Sequence, residues 1–222
     1  MARQARSGLA GIPHLLMQRV HEGQSLVRDD VDRQRFVDIL RTAAKDHRVA
    51  IHAYAVSDQT WWALATPVSE AGLSLMVQAV GRQYVAFFNR RHAREGSLWS
   101  GRFRSCVLAS AQDLLDAMAL VELQAPLQGC SSAPHHLGVR VDPLIAEHAQ
   151  FWTLGNTPFE RDAAWRRRLD DGLSAARQSQ LHDAVMKGWA LGLEVDILRL
   201  QQLTDRRLTP AKRGRPPRSP NP

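Results

Sequence analysis

The triplet Thr60, Trp61 and Trp62 has the spacing of a metal-binding His-x-His pair on a strand, but it lacks the histidines. It opens the second of two apolar runs in IHAYAVSDQTWWALAT, residues 51–66, which a polar turn separates. Successive side chains of a strand point to opposite faces, so Thr60 and Trp62 share one face and Trp61 lies on the other. An indole has no lone pair to donate, and a single threonine hydroxyl is a poor ligand. We therefore expect no metal ion and no other cofactor on this face.

The two adjacent indoles suggest different roles on the two faces of the strand. Core packing is the favoured interpretation for at least one of them, which we expect to lie beneath helices. Trp62 is the one that we expect to be exposed, as a platform for an unpaired base. Stacking of this kind contributes about 1–3 kcal/mol per base.

Arginines are concentrated between residues 82 and 104, where Glu95 is the only acid. Gly96, Gly101 and Trp99 lie among them, and these residue types allow close backbone approach and stacking. A solvated charged face is the alternative, but contact with DNA is favoured. The candidate DNA-binding residues here are Arg82, Arg90, Arg91, Arg94, Arg102 and Arg104, with Trp62 and Trp99 as stacking residues.

A second basic segment lies at the end of the sequence, where residues 209–222 contain too little apolar surface to fold alone. Its Lys212, Arg213 and Arg215 surround a glycine in KRGRP, which resembles an AT-hook core. Extended arginines of this kind enter the narrow minor groove of A·T-rich duplex DNA. A plain electrostatic tether is the alternative, and both interpretations predict a disordered tail that binds nucleic acid.

The elements that must position these residues follow the order strand, helix, strand, strand, helix, strand. Apolar periodicity predicts strands near 12–20, 51–56, 60–66 and 103–108 and helices from about residue 29 or 30 and over 72–92. This order predicts an α+β fold with a ferredoxin-like split βαβ sheet. We expect a sheet domain over 1–125, a helical extension over 139–208 and the basic tail over 209–222.

Composition limits the classes of function. The 222 residues carry 29 Lys and Arg against 22 Asp and Glu, and this net charge of +7 favours an anionic partner, nucleic acid before membrane. Cys106 and Cys130 are far apart and lack the paired spacing of a zinc site. No apolar run has membrane-spanning length, and the first residues lack the apolar core of a signal peptide. We expect a cytoplasmic protein, and association with the nucleoid is compatible with this.

Four segments of the sequence resemble the REP-associated tyrosine transposases, a branch of the single-tyrosine HUH transposases. They are VRDDVDRQRF, IHAY, GRQYVAFFNRRHAREGSLWSGRF and WALGLEVDILRLQQLTDRRLTPAKRGRPP. In that family two strand histidines hold Mg²⁺ or Mn²⁺ beside a scissile phosphate of single-stranded DNA. A helix tyrosine then attacks the phosphate and forms a 5′-phosphotyrosine bond.

The resemblance places the two histidine positions at Thr60 and Trp62 and the nucleophile at Tyr84. Since both metal positions are degenerate, the first hypothesis is a protein that binds single-stranded or hairpin DNA and has a degenerate nuclease centre. An active transposase and a non-catalytic interaction protein are the alternatives. The resemblance also makes a homodimer possible. For Tyr84 itself, we favour an aromatic at the edge of the core with its hydroxyl at the surface.

Overall fold

The computed structural model describes residues 8–125 and 129–210. Its centre is an antiparallel sheet with strand order β4-β1-β3-β2-β5. The strands are β1 His14–Arg19, β2 Val49–Val56, β3 Thr60–Pro67, β4 Arg104–Val107 and β5 Cys130–Ser131. The tight turn between β2 and β3 is closed by the amide of Ser57, which donates to the carbonyl of Thr60 at 2.8 Å.

Helices flank this sheet throughout the described part of the chain. They are α1 Asp30–Asp46, α2 Gly72–Arg91, α3 Ala111–Glu122, α4 Ala133–His136, α5 Ala149–Trp152, α6 Pro158–Asp171, α7 Ala175–Lys187 and α8 Glu194–Gln201. The first four strands and first two helices have the predicted order, and β4-β1-β3-β2 is the ferredoxin-like arrangement. The α+β prediction is therefore confirmed. Strand β5 and the two single-turn helices α4 and α5 were not predicted.

Local signals explain where the main helices begin. Asp29 caps α1 by accepting a hydrogen bond from the amide of Asp32, and Ser110 caps α3 through the amide of Asp113. Both caps use a short polar side chain to satisfy an amide that the first helical turn leaves without a partner. The first of these caps agrees with the start predicted from the sequence.

The sheet has two covered faces, which we call the Trp61 face and the Trp62 face. Helices α1 and α2 cover the Trp61 face, where Phe36, Trp61 and Tyr84 belong to one apolar core. Helices α3, α6 and α7 cover the Trp62 face, where Trp62 and Trp165 belong to a second core. Strands β1, β2 and β3 contribute alternate residues to the two cores, as the period of a strand requires.

Of the helices that follow residue 139, α5, α6 and α7 share the core of the Trp62 face, whereas Leu200 of α8 packs in a separate cluster with Val107. Leu181 and Val185 of α7 are fully buried in the core of the Trp62 face, and α7 packs against β4. The amide of Ala109 donates to the carbonyl of Leu191 at 2.7 Å, and the amide of Leu191 donates to the carbonyl of Val107 at 2.9 Å. The helical extension is thus hydrogen-bonded to the last residue of β4 and to the chain just beyond it.

A buried carboxylate joins α3 to the segments that follow it. Glu122 accepts hydrogen bonds from the Ser132 hydroxyl at 2.5 Å and from the Trp165 indole at 2.8 Å, and its other contact is His136 Nδ1 at 2.5 Å. A buried polar group costs little when its hydrogen-bonding capacity is used in this way.

No described helix is both long and apolar enough to cross a membrane.

Candidate nucleic-acid interface

Tyr84, the nucleophile position given by the resemblance, lies in the interior. Its side chain is fully buried, its ring contacts Phe36 edge-on at 4.9 Å between centroids, and its hydroxyl donates to the carbonyl of Leu26 at 2.5 Å. Burial raises the pKa of the Tyr84 phenol well above its ordinary value. The expectation that this hydroxyl lies at the surface is therefore wrong.

Tyr54 is the other tyrosine of the sequence, and its environment is similar. Its hydroxyl donates to Asp142 Oδ2 at 2.6 Å, and burial raises its pKa strongly. Both Tyr54 and Tyr84 belong to the core of the Trp61 face. Neither phenol is therefore on the side of the sheet that carries Thr60 and Trp62.

Trp62 is also buried, with 3% of its surface exposed, so the prediction of an exposed stacking platform is wrong. The physical reason is the helical cover of the Trp62 face, where the ring of His182 on α7 lies 6.2 Å from the indole of Trp62. The sequence contains no direct signal for which sheet face a distant helix covers. The prediction that one of the two indoles packs beneath helices is correct for Trp61 as well as for Trp62.

Thr60 and Trp62, which the resemblance places at the metal positions, do not fit a metal ion. The Thr60 hydroxyl is 3.0 Å from the Ser57 hydroxyl inside the β2–β3 turn. The Trp62 indole N–H is buried without a partner among the described residues, and an N–H cannot coordinate a cation. Across 8–125 and 129–210, no three His, Cys, Asp or Glu side chains form a potential ligand cluster. His14 and His52 are both buried and hydrogen-bonded within the chain.

Two of the candidate arginines are bonded to groups of their own chain. Arg91 contacts Asp29 at 2.7 Å and Asp32 at 2.6 Å, which joins the end of α2 to the start of α1. The hydrogen bond from Arg91, together with that from the amide of Asp32, lowers the pKa of Asp29 to about 2. Arg94 donates to the side-chain oxygen of Asn89 at 2.7 Å and lies near the ring of Phe88. Ion pairing to its own chain leaves Arg91 little charge for an external anion.

Arg82, Arg102 and Trp99 are brought together in an open groove. The groove has a volume of about 990 Å³ and lies between α2 and the loop at 96–103. Arg82 and Arg102 are exposed, and Trp99 is half-buried. Gly81 lets the indole approach the helix, because a Cβ there would lie 3.2 Å from the Trp99 Nε1. This groove combines two cations with an aromatic surface.

The other candidates lie elsewhere. Arg90 is exposed on α2, and Arg104 lies on β4 with a guanidinium N–H donating to the carbonyl of Met186 at 3.4 Å. Lys212, Arg213 and Arg215 lie outside the described residues. Sequence reasoning missed Arg19, which β-sheet register places directly beside Thr60. The only sequence signal for it is the alternation of Leu15, Met17 and Arg19, which assigns all three to one face.

This sheet and its helices define a class of fold, the transposase-like α+β fold. Among solved structures, the chain is similar to a REP-associated tyrosine transposase bound to a REP hairpin. The TM-score is 0.52 at 12% identity, over 68% of this chain and 93% of that one. A protein of Deinococcus radiodurans assigned as a possible transposase matches at a TM-score of 0.36 and 21% identity, over 46% of this chain and 83% of that one. No family model and no curated protein matches the sequence.

Proposed function

We propose that this protein belongs to the REP-associated tyrosine transposase family and binds single-stranded or hairpin DNA without cleaving it through a tyrosine. The observation that carries the DNA-binding part is the groove of Arg82, Arg102 and Trp99 on a transposase-like fold. Guanidinium groups contact phosphates, and an aromatic face stacks on an unpaired base. The solved transposase of similar fold is bound to a REP hairpin, which supports a hairpin ligand here.

The positions of the two tyrosines favour a protein that does not cleave DNA. A tyrosine nucleophile must reach the phosphorus atom, and its attack is helped by a metal ion that polarises the phosphate. Tyr54 and Tyr84 are both buried on the Trp61 face, and the residues at the two metal positions are a threonine and a tryptophan. Both requirements for the family reaction are thus unmet by the described residues.

Several parts of the proposal lie beyond the groove. The basic tail with Lys212, Arg213 and Arg215 is proposed to hold A·T-rich duplex DNA beside the hairpin, and a homodimer is compatible with this arrangement. Light scattering coupled to size exclusion would measure the mass in solution. A variant truncated after residue 210 should lose affinity for A·T-rich duplex DNA and keep its affinity for the hairpin.

A gel-shift titration with a labelled hairpin tests the proposed function. Binding at low salt that weakens steeply as salt rises is expected, because each phosphate contact releases counterions. The Arg82→Gln/Arg102→Gln variant should bind less tightly than a variant with the same charge loss at Lys45 and Arg166, two exposed residues outside the groove. No shift at low salt would remove the DNA-binding proposal and favour an interaction protein that retains only the fold.

A further inference from the structure

A second cationic site lies on the Trp62 face, beside the degenerate metal positions. It is a pocket of about 220 Å³ between the β1–β4 end of the sheet, the loop at 100–103 and the C-terminal end of α7. Its cationic lining residues are Arg19, Arg102, Arg104, Lys187 and Arg206, and no carboxylate is among the described residues that line it. We call this site the β1–β4 pocket.

Strand register fixes the position of the pocket relative to Thr60 and Trp62. Arg19 is paired with Thr60, and Met17 is paired with both Trp62 and Arg104. Since Leu15 and Met17 belong to the core of the Trp62 face, the alternation of β1 puts Arg19 on that face too. The pocket therefore adjoins the Thr60 end of β3 on the Trp62 face.

Hydrogen bonds to neutral oxygens hold several of these side chains in place. Arg19 Nε donates to the Ser100 hydroxyl at 3.1 Å, and Arg206 donates to the carbonyl of Gly188 at 2.8 Å. Gly188 has φ of 72° and ends α7, and a Cβ there would lie 3.0 Å from the Arg206 guanidinium. The pocket thus depends on a glycine both for the helix end and for the space that Arg206 occupies.

Capping of α7 accounts for only part of this charge. Arg104 and Arg206 satisfy carbonyls in the last turn of the helix, where cations are favourable. Arg19 and Arg102 have no such relation to the helix end, and Lys187 pairs with Asp183, which lies outside the lining. Several like charges around one small cavity repel each other unless an anion balances them. Guanidinium groups are also the side chains best shaped for phosphate oxygens.

We infer that the β1–β4 pocket binds one phosphate group. Two sources share this chemistry, a backbone phosphate of the bound DNA strand and free inorganic phosphate. The DNA source rests on the proposed function, whereas phosphate binding itself does not. In the complex, this contact would hold the strand on the Trp62 face, while the groove of Arg82, Arg102 and Trp99 contacts it on the Trp61 face.

The test combines a phosphate arm and a DNA arm on the full chain. The pocket variant is Arg19→Gln/Lys187→Gln, with Arg19→Gln alone as a second variant that leaves α7 unchanged. The control is Lys45→Gln/Arg166→Gln, which removes two exposed charges elsewhere. Thermal unfolding is measured with sodium phosphate and with sodium chloride at equal ionic strength, and hairpin affinity is measured over a salt series.

The inference predicts that phosphate raises the Tm of the natural protein and of the control, with saturation, and that this rise is reduced in both pocket variants. If DNA is the source, the slope of log K against log salt falls in magnitude by about 0.7 in the pocket variants, the value for one phosphate of single-stranded DNA. An unchanged slope with a lost phosphate effect supports the pocket and assigns it to free phosphate.

Two results overturn the inference, and a third separates it from the proposed function. If the Tm values in phosphate and chloride are equal and the pocket variants bind the hairpin like the control, the phosphate site is ruled out. Hairpin binding by the natural protein would in that case leave the proposed function intact. A phosphate effect that persists undiminished in both pocket variants also overturns the inference. If the natural protein binds no hairpin, but phosphate raises its Tm and this rise is lost in the pocket variants, the proposed function fails and the phosphate site is supported.

Discussion

The indole of Trp62 and the phenol of Tyr84 lie on opposite faces of the same sheet. Trp62 packs beneath α3 and α7, whereas Tyr84 projects from α2 and packs against Phe36 of α1. The sheet itself separates the phenol oxygen from any phosphate held beside Thr60. Attack by the Tyr84 phenol on a phosphate in that position would therefore require α2 to leave its core.

Replacement of Tyr84 by phenylalanine tests whether its hydroxyl is structural. Tyr84→Phe removes the hydrogen bond to the Leu26 carbonyl and leaves a buried acceptor, so the free energy of unfolding should fall by about 1 kcal/mol. Hairpin affinity should not change. Urea denaturation and a gel shift measure the two quantities. Loss of hairpin binding in a folded Tyr84→Phe protein would contradict the structural role.

Arg91 and Arg90 lie side by side at the end of α2 and should differ in their contribution to stability. Arg91→Gln should lower the urea midpoint, because Asp32 has no exposed side-chain surface and loses an ion pair. Arg90→Gln, at the neighbouring exposed position, should leave the midpoint unchanged. An Arg91→Gln midpoint equal to that of the natural protein would show that this ion pair does not hold the two helices together.

The groove arginines should give the reverse pattern. Arg82→Gln and Arg102→Gln should each weaken hairpin binding by about tenfold at low salt, with an unchanged urea midpoint, since contacts to charged groups contribute roughly 1.5 kcal/mol or more. Fluorescence anisotropy of a labelled hairpin measures the affinity. If the two variants bind the hairpin as tightly as the Lys45→Gln/Arg166→Gln control, this groove is not the DNA-binding site.

Trp62 should contribute to stability and not to base stacking. Trp62→Ala should reduce the free energy of unfolding by about 3–5 kcal/mol, because it leaves a cavity in the core of the Trp62 face. Trp62→Phe keeps most of the volume and should retain hairpin affinity. Trp99→Ala is the comparison, and it should lose about 1–3 kcal/mol of binding if Trp99 stacks on a base. A folded Trp62→Phe protein with strongly reduced affinity would refute the assignment.

Acid should destabilise the protein through His52. Burial lowers the pKa of His52 to about 4 from its ordinary value of 6.5, and the nearby ring of His148 lowers it further. The neutral ring is hydrogen-bonded to the Ala146 carbonyl and to the Thr66 hydroxyl. The neutral form is therefore the folded form. Its contribution is fully present above pH 6.5 and is lost as pH falls towards 4, amounting to roughly 3 kcal/mol. Urea midpoints between pH 7.5 and 4 should fall, and His52→Gln should flatten that dependence. The dependence should persist in part, since burial also lowers the pKa of His135 and His148.

The sheet and its first helices were predictable because their signals are local. Asp29 caps α1, the apolar stripe of α2 follows helical spacing, and the polar turn after Val56 separates two strands. Each of these features depends on residues a few positions apart. The ferredoxin-like order then follows from the sequence of elements.

The environment of the candidate site was not predictable, because it depends on long-range packing. The cover over Trp62 includes His182 of α7, which lies more than 110 residues later in the chain. The hydrogen bond that fixes Tyr84 goes to Leu26, and the ion pairs of Arg91 go to the start of α1. No spacing rule links these residues, so a side chain judged exposed from its own segment proved to be covered by another.

The most direct test of the account is a paired gel experiment with a labelled single-stranded hairpin and Mg²⁺ or Mn²⁺. The same reactions are run on a native gel and on a denaturing gel, with Tyr84→Phe and Tyr54→Phe proteins beside the natural one. The account predicts a salt-sensitive shift on the native gel and no covalent protein–DNA adduct on the denaturing gel. An adduct that either tyrosine substitution abolishes would contradict it.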